Sequence, residues 1–223
     1  MIEYVIPALL NLPTNKTATE TSLKANWSNF SSSLLIEVSR DQKLFTSSAV
    51  LIRRNVLLTA AHSVQDIEKG YVHLSHKYGS DNMRIGFKKV IIHNGYDKSK
   101  SNFKNDIALI ILDSNLPKSF KPANLDLSSE IKDIVVDRIG FGGRNGLNTR
   151  TWTNPLVKET LDNTIVLKDE LSVIGDSGGP IYSKNGLVGI HSTLEGTDKT
   201  YAVYVPAYKD WIDSYLPIKE VLN

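Results

Sequence analysis

The segment of the chain whose residue types most directly suggest chemistry is Gly175-Asp176-Ser177-Gly178-Gly179-Pro180. Glycines on both sides of a serine make a tight turn that exposes the hydroxyl. They also let the N–H groups of Gly175 and Ser177 converge on one point where an oxyanion could form. A Gly/Ser/Asp run is ordinarily only a turn, but a six-residue string of this composition favours a nucleophile. A hydroxyl attacks poorly unless a base removes its proton. Among five histidines, His62 ends the β-type run Val56-Leu57-Leu58-Thr59-Ala60-Ala61, whose small final residues permit close packing and leave an imidazole at the strand end. His73 and His76 sit in a polar HLSH stretch with no accompanying third ligand, which reads as surface rather than as a metal pair, and His93 opens an HNGY turn. An imidazole working as a base also needs its tautomer fixed and its cation stabilised. Asp106 heads the most apolar run, Ile107-Ala108-Leu109-Ile110-Ile111-Leu112, where a carboxylate is costly without a partner. Alone it would read as a strand cap; with His62 and Ser177 it reads as the orienting carboxylate.

The elements that must position these groups are short and extended. Apolar runs recur at Leu34 to Val38, Ala49 to Ile52, Val56 to Thr59, Arg84 to Phe87, Val90 to Ile92 and Ile107 to Leu112. In the second half they recur at Ile134 to Ile139, Thr164 to Leu167, Ile181 to Tyr182, Leu187 to Ile190 and Tyr201 to Val205. Many short strands without long helical patterns predict an all-β barrel or sandwich. Ten of fourteen glycines lie between Gly140 and Gly196, so the second half is the turn-rich half. Pro117 and Pro122 bracket a polar stretch that reads as a linker between two β units. After Pro206, the spacing of Trp211, Ile212 and Tyr215 predicts one helix, stopped by Pro217. The expected organisation is an N-terminal arm over 1–33, a β unit over 34–117, a linker over 118–130, a second β unit over 131–205, and a C-terminal helix and tail over 206–223.

Composition excludes several classes. At 223 residues with 41% hydrophobic and 22% charged content, the chain is long enough for a sizeable core and too apolar for disorder. A net charge of +2 gives no reason to expect a nucleic acid or membrane-surface partner. Five lysines between Lys88 and Lys104, interrupted by Asp97, read as a solvated face. The absence of cysteine removes disulfides, thiolate metal sites and a thiol nucleophile. No cofactor and no metal are expected. The opening MIEYVIPALLNLP has no basic region ahead of its apolar run and no clear cleavage site, so it does not read as an intact signal peptide.

TAAH around His62, NDIALI around Asp106 and GDSGGP around Ser177, in that order, resemble the three signature segments of trypsin-like serine proteases of the chymotrypsin fold. Gly140-Phe141-Gly142, Gly189-Ile190-His191-Ser192 and the stretch Tyr208 to Ile212 extend the resemblance from about residue 34 to 216. It implies two packed six-stranded antiparallel β-barrels with a C-terminal helix and the catalytic groups in the cleft between them. Carried onto this chain, Ser177 is the nucleophile, His62 the general base and then acid, and Asp106 the orienting carboxylate. The amides of Gly175 and Ser177 form the oxyanion hole, and Ser192 hydrogen-bonds Asp106. Ser47 and Ser63 stand where relatives carry a disulfide beside the histidine, and Ser48 and Ala49 replace a glycine pair. The implied activity is peptide-bond hydrolysis on a protein or peptide substrate by a monomeric enzyme, secreted or periplasmic in a bacterium. The alternatives from other classes are a non-catalytic binding module on the same fold and an intracellular ester hydrolase.

The same resemblance bears on activation and specificity. In many relatives a newly cut N-terminal ammonium inserts beside the residue matching Asp176. This chain therefore implies either removal of the arm, after Lys16 or Lys24, or a different internal donor. Leu171 occupies the position that carries aspartate in trypsin-type pockets, so lysine and arginine substrates are disfavoured. His191, with Ser172 five residues before Ser177, resembles the carboxylate-binding pair of bacterial glutamyl endopeptidases and exfoliative toxins. Together with Ser192, Thr193 and a Leu194 that narrows the entrance, they predict cleavage after Glu, with a hydrophobic or small-residue pocket as the alternative.

Overall fold

The computed structural model describes residues 30–74, 83–99, 103–127, 131–142 and 150–216. The first six strands are β1 (Ser33–Arg40), β2 (Lys43–Arg53), β3 (Val56–Thr59), β4 (Lys69–His73), β5 (Arg84–Ile92) and β6 (Ala108–Leu112). They close into an antiparallel barrel in the order β1-β2-β3-β6-β5-β4. Asp41 and Gln42 join β1 to β2 with φ of 51° and 60°, the two-residue hairpin turn whose twist matches that of its strands. Strand alternation explains why these runs are so continuously apolar. Leu34, Ile36, Leu51, Leu57 and Ile110 fill the barrel, while Val50, Ile52, Leu58, Ile107 and Leu109 face outward into a second layer. That layer is completed by Leu187, Ile190, Val203, Val205 and Ile212 from the other half, so burial on both faces is what joins the halves.

The second half contains β7 (Asp137–Gly140), β8 (Thr151–Thr153), β9 (Leu156–Leu161), β10 (Thr164–Lys168), β11 (Pro180–Ser183), β12 (Gly186–Glu195) and β13 (Lys199–Tyr204). They form one sheet ordered β8-β7-β11-β12-β13-β10-β9. Its edge strands β8 and β9 are consecutive in sequence, parted by Asn154-Pro155. Val136 N–H to the Pro155 carbonyl at 3.0 Å and Val157 N–H to the Ile134 carbonyl at 2.9 Å curl the sheet toward closure. The expected pair of packed antiparallel β units is present, the second as a curled seven-stranded sheet. Pro155 has no N–H to give to a ladder and divides what would otherwise be one strand. A 3-10 turn, Val205–Tyr208, leads into α2 (Lys209–Tyr215), preceded in chain order by the one-turn helix α1 (Ala61–Val64). No described helix is long and apolar enough to cross a membrane.

Several local expectations need correction. Arg84 to Phe87 and Val90 to Ile92 are one strand, β5, and β4, β8 and β9 were not evident from the sequence pattern. His73 is 7% exposed rather than a surface residue. Its Nε2 lies 3.6 Å from Glu37 Oε2, and Arg84 Nη1 donates to Glu37 Oε1 at 3.1 Å, so a charge cluster on neighbouring strands encloses it. His76 lies outside the described residues, as do 1–29 of the expected arm. The described end of that arm is not free: Ser31, Ser32 and Ser33 are buried, and Ser32 accepts from Leu51 N–H at 2.8 Å and bonds the Tyr182 hydroxyl at 2.6 Å.

Candidate active site

His62 sits in the single turn of α1, directly after β3. The residue preceding that turn, Ala60, offers no side-chain cap. Asp106 supplies one instead: its Oδ1 accepts the His62 N–H at 2.9 Å, and its Oδ2 lies 2.7 Å from His62 Nδ1. A carboxylate can only accept here, so Nδ1 carries the proton and Nε2 is left as the basic nitrogen. Asp106 is fully buried and takes a third donor, the Ser192 hydroxyl, at 2.5 Å. Asn105 fixes the entry to Asp106: Tyr208 Oη donates to its Oδ1 at 2.7 Å and its Nδ2 donates to the Gly95 carbonyl at 2.7 Å.

Ser177 follows Gly175 and Asp176 on a turn clamped between the halves. Ser48 N–H donates to the Ser177 carbonyl at 2.9 Å, Gly178 N–H to the His191 carbonyl at 2.8 Å, and His191 N–H to the Gly179 carbonyl at 2.8 Å. Gly175 adopts φ of 99° and Gly178 of 81°, left-handed values that a side chain resists. At Gly178 a Cβ would also come 2.1 Å from the Ser48 carbonyl oxygen. Among the described residues the N–H groups of Gly175 and Ser177 donate to no acceptor, and both residues line the cleft. The Ser177 hydroxyl donates to the Ser192 carbonyl at 3.1 Å, and no hydrogen bond joins it to His62.

Asp176 is fully buried. Arg138 Nη1 donates to its Oδ2 at 2.8 Å, Val173 N–H to the same oxygen at 3.0 Å, and Gly142 N–H to Oδ1 at 2.9 Å. Arg138, itself 0% exposed on β7, also pairs with Asp169 through Nε. Burial works against the guanidinium charge, and Asp176 and Asp169 more than offset it, holding the Arg138 pKa above its ordinary value. Asp169 Oδ1 in turn accepts Leu171 N–H at 3.0 Å, tying the segment just before Ser172 to the same cation.

The cleft, about 360 Å³, contains His62, Ser177 and the predicted pocket residues His191, Ser192, Thr193 and Leu194. Leu171 and Ser172 do not line it; Ser172 reaches it through its Oγ, 2.6 Å from His191 Nε2. His191 is 1% exposed and its Nδ1 has no hydrogen-bond partner. Burial, and then the positive charge of Arg138, lower its pKa to about 4, so the imidazole is neutral near pH 7. Val173 and Ile174 add apolar wall. Among the described residues no group of three or more His, Asp and Glu is placed to hold a metal ion.

Arg138, Phe103 and Arg40, which shape the site, were not singled out in the sequence, and Ser48 was read only as one of two residues replacing a glycine pair. Arg138 lies within an apolar run and gave no signal beyond its charge. Phe103, with φ of 45°, sets its ring 5.4 Å from that of His62 and edge-on to Tyr96. Burial, then the Asp106 carboxylate, push the Tyr96 pKa up to about 12. Ser48 Oγ donates to the Gly175 carbonyl at 2.8 Å and accepts Phe141 N–H at 2.9 Å. Arg40 Nη2 donates to the His62 carbonyl at 3.3 Å. The missing disulfide has a hydroxyl replacement: Ser47 Oγ donates to the Ser177 carbonyl at 2.7 Å, so Ser63 Oγ donates to Ser47 Oγ at 2.8 Å.

A closed antiparallel barrel packed on a curled antiparallel sheet, with a short C-terminal helix, is the chymotrypsin fold. The profile of the Trypsin family matches residues 26–212, and the chain belongs to this family of serine proteases. It is 24% identical over 216 residues to a chymotrypsin from Phaedon cochleariae, covering 82% of this chain and 76% of that protein. It is 30% identical over 227 residues to the vitamin K-dependent protein C of Mus musculus, covering 81% of this chain but 48% of that protein. Among solved structures, HL collagenase aligns with a TM-score of 0.79 at 23% identity, over 88% of this chain and 99% of that one. The scabies mite inactivated protease paralogue S-I1 aligns with a TM-score of 0.76 at 18% identity, over 86% and 98%. At those identities the two structures speak to the fold alone.

Proposed function

We propose that the chain is a serine endopeptidase that works through an acyl-enzyme. Ser177 Oγ attacks the peptide carbonyl as its proton passes to His62 Nε2. The resulting oxyanion is held by the N–H groups of Gly175 and Ser177, and the carbon–nitrogen bond breaks as His62 returns the proton to the leaving amine. Water then repeats the sequence on the ester and regenerates Ser177. The observation that carries this reading is the buried Asp106 carboxylate accepting from both the ring and the amide of His62, which itself lines the cleft that holds Ser177. Digestion of a defined peptide library tests it: the wild type should cut, and Ser177→Ala should not.

The preference proposed for the acyl side is Glu, held by Ser172 and His191. A neutral imidazole with its pKa near 4 is a modest carboxylate site when empty, and a bound carboxylate favours its protonation. The advantage of Glu over Gln substrates should therefore grow as pH falls from 7 toward 5, and His191→Leu should flatten that trend. Val173, Ile174 and Leu194 in the same cleft favour the alternative of an apolar pocket, which the same library would report as cleavage after Phe, Leu or Ala.

Activity in this proposal needs no new amino terminus, because Arg138 already supplies the cation that Asp176 requires; action outside the cytosol is part of the same reading. The rival is a non-catalytic binding module. It is favoured by the Ser177 hydroxyl donating to Ser192 rather than to His62, although such bonds are often loose before substrate arrives. A folded wild type that cleaves nothing in the library would support the rival.

A further inference from the structure

Arg40 is the last residue of β1, opposite Lys43 across the hairpin. Alternation along β1 places it on the same face as Val38 and Ile36, which fill the barrel, so its side chain leaves through the barrel mouth toward the cleft it lines. The guanidinium lies 5.8 Å from the centroid of the Phe45 ring and donates from Nη2 to the His62 carbonyl. Its Nε is buried without a hydrogen-bond partner. Among the described residues Arg40 makes no ion pair. The adjacent Asp41 is exposed in the turn, and Lys43, cross-strand and on the same face, adds a second positive charge.

The chemistry of the site says which part of a substrate meets this cation. The acyl-side residue enters the second-half pocket by His191, and the leaving amine takes its proton from His62. Residues beyond the cut bond therefore run along the first-barrel wall formed by Val38, Arg40, Phe45, Thr46 and Ser47. Arg40 donates to the His62 carbonyl at 3.3 Å, so at about 3.4 Å per extended residue it stands within reach of the first three of them. We propose that Arg40 is a specificity-determining residue that binds an Asp or Glu side chain within the first three residues after the cleaved bond. A guanidinium whose remaining N–H groups meet no carboxylate among the described residues is suited to a charge-assisted, two-toothed hydrogen bond of this kind. The inference rests on the peptidase reading above.

The test is sequencing of the new amino termini made from a proteome-derived peptide library by wild type, Arg40→Gln and Arg40→Glu. Wild type should enrich Asp and Glu about fivefold over Asn and Gln in those three positions, the size expected of a partly solvated ion pair. Arg40→Gln should lose the enrichment, and Arg40→Glu should shift it to Lys and Arg. Should the variants not fold, the wild-type ratio alone decides, since it should fall toward one as NaCl rises from 0.05 to 0.5 M. Enrichment absent from wild type, insensitive to salt, or kept by both variants overturns the assignment of Arg40 while leaving the peptidase reading intact. No cleavage at all by wild type overturns that reading, and this inference with it.

Discussion

Among the described residues two carboxylates, Asp106 and Asp176, are fully buried, and their partners are of opposite kinds. Asp106, from the first barrel, faces an imidazole, a backbone amide and a serine hydroxyl. Asp176, from the second half, faces the guanidinium of Arg138 and two backbone amides. The first arrangement stabilises a charge that appears only when His62 takes a proton, so it leaves a proton free to move. The second pairs a carboxylate with a guanidinium, and what it holds is backbone: the segment from Val173 to Ser177, whose amides are the proposed oxyanion donors. In the proposed mechanism one buried acid therefore serves chemistry and the other serves shape, and the two should fail differently when altered.

The largest effects should come from the chemical side. Ser177→Ala and His62→Ala should each lower turnover by roughly four powers of ten or more, and the double variant should be no worse than the poorer single. Asp106→Asn should lower turnover by about 10⁴ while moving the urea midpoint little, because an amide can keep the shape and not the tautomer. Arg138→Met should do the reverse in emphasis: with Asp169 and Asp176 left buried without their cation, the urea midpoint should fall by an amount equivalent to about 3–5 kcal/mol. If Asp106→Asn proved the more destabilising of the two, the contrast between chemistry and shape would be broken.

His191 sharpens the same contrast through pH. Its folded pKa of about 4 lies below the ordinary 6.5, so below pH 6.5 the unfolded chain binds a proton that the folded chain refuses. Its contribution to stability is intact above pH 6.5 and is lost as pH falls toward 4, up to about 3 kcal/mol in all. Unfolding measured from pH 7 to 4 should show a shallower decline for His191→Gln than for the wild type. The smallest effect is expected at Ser48→Ala, which leaves the half-buried Gly175 carbonyl and the buried Phe141 N–H without their partner. A stability loss of about 1–2 kcal/mol should accompany it. Because Ser48 holds the oxyanion loop rather than substrate, kcat should drop about tenfold with KM little changed; an unchanged kcat would mean that the loop holds its shape without the hydroxyl.

Much of this was legible in the sequence because the chemistry is local. Ser177, His62 and Asp106 each sit in a short string whose glycines, small residues or apolar run have a local reason to be there. Asp176 was legible as a charge needing a donor, but Arg138 was not legible as that donor, since 38 residues separate them and only the pairing of β7 with β11 brings them together. Phe103 and Arg40 escaped for the same reason, as did the bonds of Ser48 to the Gly175 carbonyl and the Phe141 N–H. Among the strands, β9 was hidden because four of its six residues face solvent, so its pattern is polar, and β4 because it opens Lys-Gly. Ser31 to Ser33 look like loop by composition, yet hydrogen bonds to β2 and Tyr182 bury them.

The most direct test of the account is whether Ser177 is activated in the uncut chain. Intact-mass analysis after treatment with a fluorophosphonate should show one adduct per molecule, mapped to Ser177, on protein whose N-terminal sequence still begins at Met1. The adduct should be absent from Ser177→Ala and form much more slowly in His62→Ala. A folded, uncut wild type that takes up no label, or that takes it up only after the arm is cleaved, would contradict the claim that Asp106 and Arg138 between them have already built a working site.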